Sequence, residues 1–149
     1  MAWVKFLFEI NSYEYIFHFT FKDNDSSTYF YIYKEIIGTL NYVYESDNVF
    51  TEKKTDKVLT SGIWAHVAFT IKENELSLFI DSNKVSSADV PSTHHHQLES
   101  VQVGIGGNPW AGNCNNIIVD ELKIFNRALT DEEIAHEKNI AQPFEIEEI

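Results

Sequence analysis

A stretch in the last third of the chain, residues 101–134, limits the possible folds more than any other part. Residues 101–105 read as an apolar strand and run into glycines and an Asn-Pro pair, which turn a backbone. Residues 117–125 are rich in β-branched and aromatic residues, as a strand requires. Thr130 is followed by three acids, the third of which completes a capping box, so a short helix is expected to begin at Asp131.

The first 45 residues alternate apolar and other side chains with period two almost without interruption. This pattern is typical of half-buried antiparallel strands, which are expected at residues 4–10 and 13–21. The odd-numbered aromatics of the second run are expected on one face. In the next strand Tyr29, Tyr31 and Tyr33 are expected to form a stripe on one face. Strands about ten residues apart are typical of a β-sandwich or barrel.

The middle of the chain is less regular. Residues 47–57 are polar and charged and are expected to form an exposed loop. Strands are expected at residues 64–72 and 76–81, joined by a tight turn. Residues 86–98 show no clear period, and the tail at residues 143–149 is acidic and expected to be extended or loosely held.

Residues 119–134, VDELKIFNRALTDEEI, resemble the closing segment of laminin-G-like, concanavalin-A-like jelly-roll domains. Such domains end on a strand reading roughly G-x-I-D-E-hydrophobic-x-I-aromatic-N-R-A-L and a short turn of helix. Three further segments carry the resemblance: IWAHVAFT at 63–70, LFIDSNKV at 78–85 and AWVK at 2–5. Ser82 replaces the glycine that usually occupies the family's hairpin, which allows a different turn type there.

The resemblance implies an all-β domain over residues 1–142, followed by the acidic tail. The implied architecture is a two-sheet antiparallel β-sandwich of the concanavalin A-like jelly-roll type with one short C-terminal helix. Several residues of the matching segments are expected to have structural roles. The histidine of the W-x-H-V-A strand, for example, is expected on the face opposite to its inward-pointing neighbours. These structural residues are Trp64, His66, Asp81, Asp120 and Glu121.

Domains of this family usually carry another strand before the A-W-V-K motif, whereas this chain starts almost on the motif. The family's first strand is therefore expected to be lacking, and the edge beside the strand at residues 3–10 is expected to need cover. The expected cover is the tail at residues 143–149 or another chain. The large apolar side chains that would otherwise face water are Phe6, Phe8, Phe17 and Phe19.

Composition narrows the possible partners of the 149-residue chain. Its formal net charge of −12 should repel nucleic acid and anionic membrane surfaces, so a basic protein or a neutral ligand fits better. One cysteine, Cys114, excludes an internal disulfide. No apolar run approaches membrane-spanning length and no signal peptide is recognised. An intracellular protein is expected if the chain is full length, and an extracellular one if it is a domain excised from a secreted protein.

Catalytic residue types occur in no spacing that specifies a reaction. Sugar-cleaving members of the wider superfamily carry an E-x-D-x-x-E strand, which this chain lacks. Asp120 and Glu121 are adjacent, so their carboxylates are expected on opposite sides of the sheet. His94, His95 and His96 alternate faces in the same way and have no cysteine or acid at a metal-site spacing nearby. No catalytic residue and no metal site is predicted.

Calcium is a separate case, because some laminin-G-like domains bind it through loop acids and carbonyls. The loop acids available are Asp23, Asp25 and Asp47, which match no loop with defined ligand spacing. No cofactor is therefore predicted.

The expected function is that of a non-catalytic binding module, because jelly-roll domains host lectins, adhesion modules and structural subunits as well as glycosidases. The first hypothesis is a protein-interacting structural subunit of a larger assembly, which the expected uncovered edge favours. The alternative is a carbohydrate-binding, lectin-like module, in which sugar rings stack on aromatic side chains and asparagines bind hydroxyl groups. A glycoside hydrolase ranks third, since no acid pair is found. The residues predicted to bind a ligand, each equally well explained by packing or turn formation, are Tyr29, Tyr31, Tyr33, Trp110, Asn113 and Asn115.

Overall fold

A computed structural model describes residues 1–7, 13–22, 27–46, 49–90, 100–107 and 116–144. Within these residues the chain forms ten β-strands and one helix, α1, at Asp131–Ile140. The strands are β1 Ala2–Phe6, β2 Glu14–Lys22, β3 Ser27–Lys34, β4 Thr39–Ser46, β5 Val49–Val58, β6 Ala65–Lys72, β7 Glu75–Ile80, β8 Asn83–Asp89, β9 Ser100–Ile105 and β10 Ile117–Asp120.

The strands form two five-stranded sheets. Sheet A has the strand order β10-β1-β6-β7-β8, and sheet B has the order β5-β4-β3-β2-β9. Every neighbouring pair is antiparallel. The predicted two-sheet antiparallel sandwich with one short C-terminal helix is therefore confirmed.

The core lies between the two sheets, because alternation along each strand gives it one inner face. Val4 and Val67 of sheet A and Phe30 and Tyr42 of sheet B are completely buried members of this core. A second, smaller cluster joins α1 to the outer face of sheet A. Its members are Ala68, Phe79, Leu129 and Ile134.

Local sequence fixes two boundaries of these elements. The Thr130 hydroxyl accepts a hydrogen bond from the Glu133 amide (3.3 Å), and the Glu133 carboxylate accepts one from the Thr130 amide (2.9 Å). This is the predicted capping box, and α1 begins at Asp131 as predicted. The β7–β8 hairpin turns at Asp81 and Ser82, whose φ angles are 51° and 69°. Positive φ at both central residues is typical of a type I′ turn, so Ser82 adopts a backbone conformation that favours glycine.

The loop expected at residues 47–57 is wrong, because Val49–Val58 forms β5 and pairs with β4. Thr55 is buried, but most other side chains of β5 are exposed. β5 is an edge of sheet B, and charged residues on an edge strand oppose pairing with other chains. The charges that indicated a loop belong to the exposed side of this edge strand.

The edge beside the first strand was expected to be covered by the tail or by another chain, but in the described residues β10 covers it. β1 lies between β6 and β10 and pairs with both. Phe6, Phe17 and Phe19 are all buried in the core, and Phe8 lies outside the described residues.

The strand predicted at residues 117–125 is wrong in its second half, because β10 ends at Asp120. Glu121 has a φ angle of 51°, a left-handed conformation that interrupts an extended strand. Beyond this break the backbone groups of Met1 and Lys123 exchange two hydrogen bonds of 2.9 Å each. The chain from residue 124 to α1 is then irregular.

The start of the C-terminal tail is tied to β10 and β1. The Asp120 carboxylate accepts hydrogen bonds from the amides of Glu121 (2.8 Å) and Phe144 (2.9 Å). The indole N–H of Trp3 donates to the carbonyl of Ala141. The tail beyond Phe144 lies outside the described residues.

Candidate functional site

The outer face of sheet B carries a cluster of tyrosines. Phe30 and Ile32 are completely buried, so the alternate residues of β3 point away from the core, which confirms the predicted stripe. Tyr15 of β2 lies opposite Tyr33 in the strand register. This surface, the tyrosine face, consists of Tyr13, Tyr15, Tyr29, Tyr31 and Tyr33.

Four of the five rings contact one another. The ring centroids are 5.6 Å apart for Tyr13–Tyr33 and for Tyr15–Tyr33, 5.8 Å for Tyr15–Tyr31 and 6.2 Å for Tyr31–Tyr33. Aromatic pairs attract one another at about 4.5–7 Å. Tyr33, at the centre, is 9% exposed, whereas Tyr13, at the margin, is 59% exposed. The cluster is therefore a packed aromatic surface with an exposed rim.

Polar side chains from two strands, β4 and β5, and from a turn hold Tyr33 in place. Its hydroxyl donates to the carboxylate of Glu52 and accepts from the side-chain amide of Asn41 (2.8 Å). The Asn41 amide also donates to Glu35 (2.9 Å), and Glu35 forms an ion pair with Lys54. The side-chain oxygen of Asn41 is buried and has no hydrogen-bond partner among the described residues. Hydroxyl, amide and carboxylate groups thus lie directly beside the aromatic rings.

Burial raises the pKa of two of the tyrosine hydroxyls above their ordinary value. It raises the pKa of Tyr31 to about 12, with smaller contributions from Tyr15 and from the carboxylates of Glu45 and Glu52. The pKa of Tyr33 is raised as well, first by burial and then by its hydrogen bond to Glu52. Both side chains are neutral at physiological pH, and the Tyr33 hydroxyl donates its proton to the hydrogen bond with Glu52.

This arrangement suits a ligand that has apolar ring faces and hydroxyl groups, since aromatic rings cover the former and fixed polar groups bind the latter. A hydrogen bond from Lys54 lowers the pKa of Glu35.

Tyr13, Tyr15 and Glu52 were not predicted to belong to the site. The odd-numbered residues from 13 to 21 were expected on one face, but the β2–β3 register shifts between Tyr15 and Phe17. This β-bulge lets Tyr15 point outward while Phe17 points inward, although their parity is the same. The change from tyrosine to phenylalanine at this point is the sequence signal that marks the change of face. Glu52 was missed because its strand was predicted to be a loop.

The structure brings together three of the six residues predicted to bind a ligand, namely Tyr29, Tyr31 and Tyr33. Trp110, Asn113 and Asn115 lie outside the described residues, as do the three histidines and the loop acids considered for calcium. In the ranges that the structure covers, no group of three or more His, Cys, Asp or Glu side chains is placed to hold a metal ion. No helix in those ranges is long and apolar enough to cross a membrane.

The residues predicted to be structural lie in and around sheet A. His66 is 3% exposed, and its ring lies 5.3 Å from that of Trp3 in an edge arrangement. Burial lowers the pKa of His66 to about 4. The Asp81 carboxylate accepts a hydrogen bond from the backbone amide of His66 (3.1 Å). Trp64 is half-buried, and the Lys5 ammonium lies 5.9 Å from its ring centroid.

A second candidate site is an apolar groove of about 690 Å³ that opens between the sheets where β10 stops. Its walls come from the second half of β6, from residues 122–129 and from β2 and β9. Ile124 is 62% exposed, and Phe125 and Val103 are also exposed. Exposed apolar side chains that lie together in this way are typical of binding sites.

The fold and these two surfaces define a β-sandwich binding domain. A family model described as the concanavalin A-like lectin/glucanases superfamily matches residues 1–135, and the chain belongs to this family. The resemblance inferred from the sequence is confirmed. A comparison with curated proteins finds no match.

Solved structures share the fold at low sequence identity. A SAP-like pentraxin from Limulus polyphemus matches with a TM-score of 0.61 and 17% identity, over 90% of this chain and 65% of the pentraxin. The CBM40 of a Ruminococcus gnavus IT-sialidase, bound to α2,6-sialyllactose, matches with a TM-score of 0.62 and 16% identity, over 91% of this chain and 79% of that chain. A Trypanosoma rangeli sialidase matches with a TM-score of 0.66 and 14% identity, over 90% of this chain but 21% of the sialidase.

Proposed function

We propose that this chain is a non-catalytic carbohydrate-binding module and that the tyrosine face is its binding surface. The observation that carries the proposal is the contact of four tyrosine rings with a fixed carboxylate and amide at Tyr33. Membership of a superfamily of lectins and glucanases supports it, as does the fold shared with a module bound to sialyllactose. Carbohydrate binding is therefore the first candidate function, ahead of the protein-subunit role that the sequence alone favoured.

Charge favours a neutral sugar over a sialylated one. Glu45 and Glu52 are close enough to raise the pKa of Tyr31, and Glu35 lies beside Asn41. Lys54 is already paired with Glu35. A sugar carboxylate on this face would meet like charges, which is unfavourable. The proposed ligands are therefore neutral oligosaccharides.

Isothermal titration calorimetry tests this proposal with cellohexaose, a β-1,4-galactan oligosaccharide, N-acetyllactosamine and 6′-sialyllactose. At least one neutral sugar is expected to bind more tightly than sialyllactose. Tyr13→Ala and Tyr15→Ala should each weaken that binding about three- to tenfold, since an aromatic stacking contact contributes about 0.5–1.5 kcal/mol. Phe144→Ala is the matched control, because Phe144 is 75% exposed but lies beside sheet A. No binding by any neutral sugar, or equal binding by all three variants, contradicts the proposal.

A protein partner is the second candidate function, and the apolar groove favours it. Exposed apolar residues that lie together are typical of protein interaction sites. The groove and the tyrosine face belong to different surfaces, because the groove opens between the sheets and the tyrosine face is the outer side of sheet B. The two functions are therefore compatible in one domain.

A further inference from the structure

His18 lies beside the tyrosine face, on the same outer side of sheet B. Its neighbours along β2, Phe17 and Phe19, are buried in the core, so the His18 side chain points outward. In the register of β2 and β3, His18 lies directly opposite Tyr31. Residues that face each other in this way have Cβ atoms about 4.5–5.5 Å apart, so the imidazole borders the tyrosine face.

A glycine on the neighbouring strand makes room for the imidazole. β9 pairs with β2 so that Gly104 lies opposite His18. A Cβ built on Gly104 would lie 1.8 Å from Cε1, 2.2 Å from Nδ1 and 2.8 Å from Nε2 of the His18 ring. The ring therefore lies over the backbone of β9, in the space that a side chain at residue 104 would need.

One hydrogen bond fixes the orientation and the tautomer of the ring. Nδ1 of His18 lies 3.0 Å from the carbonyl oxygen of Gly107. A carbonyl only accepts, so in the neutral imidazole Nδ1 carries the proton and donates it, and Nε2 keeps an unshared electron pair. Among the residues that the structure describes, Nε2 has no hydrogen-bond partner, and the side chain is only half-buried. Nε2 is thus a fixed acceptor that a ligand can reach.

A second acceptor lies on the other side of Tyr31. The strand register places His18, Tyr31, Val43 and Glu52 in one row across β2, β3, β4 and β5. Three strand spacings separate the backbones of His18 and Glu52, which is about 14 Å. The Glu52 carboxylate accepts from Tyr33 and has capacity for further hydrogen bonds. A sugar ring stacked on the tyrosines between them would have hydroxyl groups along both of its edges.

We propose that His18 is a further ligand-binding residue of the tyrosine face and that its Nε2 accepts a hydrogen bond from a hydroxyl group of the bound sugar. Gly104 and the Gly107 carbonyl already hold the ring in place, which reduces the entropy cost of making this contact. The ligand is therefore a sugar with a free hydroxyl group that projects toward β9 from the stacked ring. This inference rests on the carbohydrate-binding function proposed above.

Two conservative substitutions separate this role from a purely structural one. The short side chain of His18→Asn keeps a donor near the position of Nδ1 but has no acceptor at the position of Nε2, whereas the longer side chain of His18→Gln keeps that acceptor. The probes are cellohexaose, the β-1,4-galactan oligosaccharide and N-acetyllactosamine, and the measurement is calorimetry. Each sugar that binds the wild type should bind His18→Asn about three- to tenfold more weakly, and His18→Gln more tightly than His18→Asn.

The structural alternative predicts the opposite order of the two variants. If His18 only anchors Gly107, His18→Asn keeps the anchor and should bind sugar as the wild type does. His136→Asn is the matched control, because His136 is an exposed histidine of α1 and should leave binding unchanged.

Imidazole nitrogen resonances of the wild type test the same contact without a substitution at His18. A 1H–15N correlation spectrum at pH 8 is expected to show the His18 proton on Nδ1. Saturation with the sugar is expected to move the Nε2 resonance upfield, as acceptance of a hydrogen bond does. The spectrum of His18→Gln identifies the two signals, because it lacks them.

A proton on Nε2 in the free protein would overturn the proposal, as would an unchanged Nε2 resonance at saturating sugar. Equal binding by His18→Asn and the wild type would overturn it too. If any of these results accompanies weakened binding by Tyr15→Ala, the carbohydrate-binding function stands and only the role of His18 fails. If no neutral sugar binds, both fail.

Discussion

His66 makes the stability of this domain depend on pH in a defined window. The side chain is 3% exposed, and its pKa falls from 6.5 to about 4. Burial is the main cause, followed by the positive charges of the N-terminus and Lys138, while Asp81 acts in the opposite direction. In the unfolded chain His66 takes up a proton near pH 6.5, whereas in the folded chain it does so only near pH 4. Folding stability is therefore fully present above pH 6.5 and decreases as pH falls toward 4.

The expected loss of stability follows from the size of the pKa shift of His66. Each pKa unit corresponds to 1.36 kcal/mol, so His66 accounts for a loss of about 3 kcal/mol between pH 6.5 and 4. Urea unfolding across this range measures it, with His66→Leu as the variant that lacks the titrating group. The Met1 amino group, whose pKa is lowered to about 6 by burial, titrates in a higher window and is common to both proteins. The free energy of unfolding of the wild type should fall by about 3 kcal/mol more than that of the variant.

The matched control for this experiment is His136→Leu, which removes an exposed histidine of α1 and should keep the wild-type pH profile. Parallel profiles of wild type and His66→Leu would refute the reasoning, because the buried ring would then have no part in the pH dependence.

Three further predictions concern stability and are measured by urea unfolding at pH 7.5. Ser82→Gly should raise the free energy of unfolding by about 1 kcal/mol, because glycine adopts the left-handed conformation of the β7–β8 turn without strain. The control Ser87→Gly, in β8, should lower the free energy of unfolding, and a lower value for Ser82→Gly would contradict the prediction. Gly104→Ala should destabilise by about 1–3 kcal/mol, because its Cβ would lie 1.8 Å from the His18 ring; a neutral result contradicts the packing. Thr130→Ala should cost about 1 kcal/mol by removing the cap of α1, and unchanged stability would show that the cap is dispensable.

Features set by local sequence were predictable. Period-two alternation indicated the strands, since burial of one sheet face requires it, and the capping box fixed the start of α1 at Asp131. The register of most strands and the partition into two sheets depend on contacts between distant residues. The partition into two sheets came from the family resemblance rather than from the alternation, and the strand register was not predicted.

Features set by tertiary context were missed. β5 was predicted to be a loop because an exposed edge strand has little need of apolar residues. The strand at residues 117–125 was predicted too long because Glu121 adopts a left-handed conformation with no glycine to announce it. The bulge in β2 moved Tyr15 to the outer face, where it joined the predicted stripe. The sequence thus predicted the part of the candidate site that lies on β3, and the residues that other strands contribute became known only from the structure.

Chemical-shift mapping by NMR tests the central claim most directly. The 15N-labelled protein is titrated with the neutral oligosaccharide that binds best in calorimetry, and perturbed amides are located on the two sheets. Binding at the tyrosine face predicts perturbations concentrated in β2, β3 and the adjoining parts of β4 around Asn41 and of β5 around Glu52, with sheet A unaffected. Perturbations confined to sheet A or to the apolar groove, or none at saturating sugar, would contradict the account.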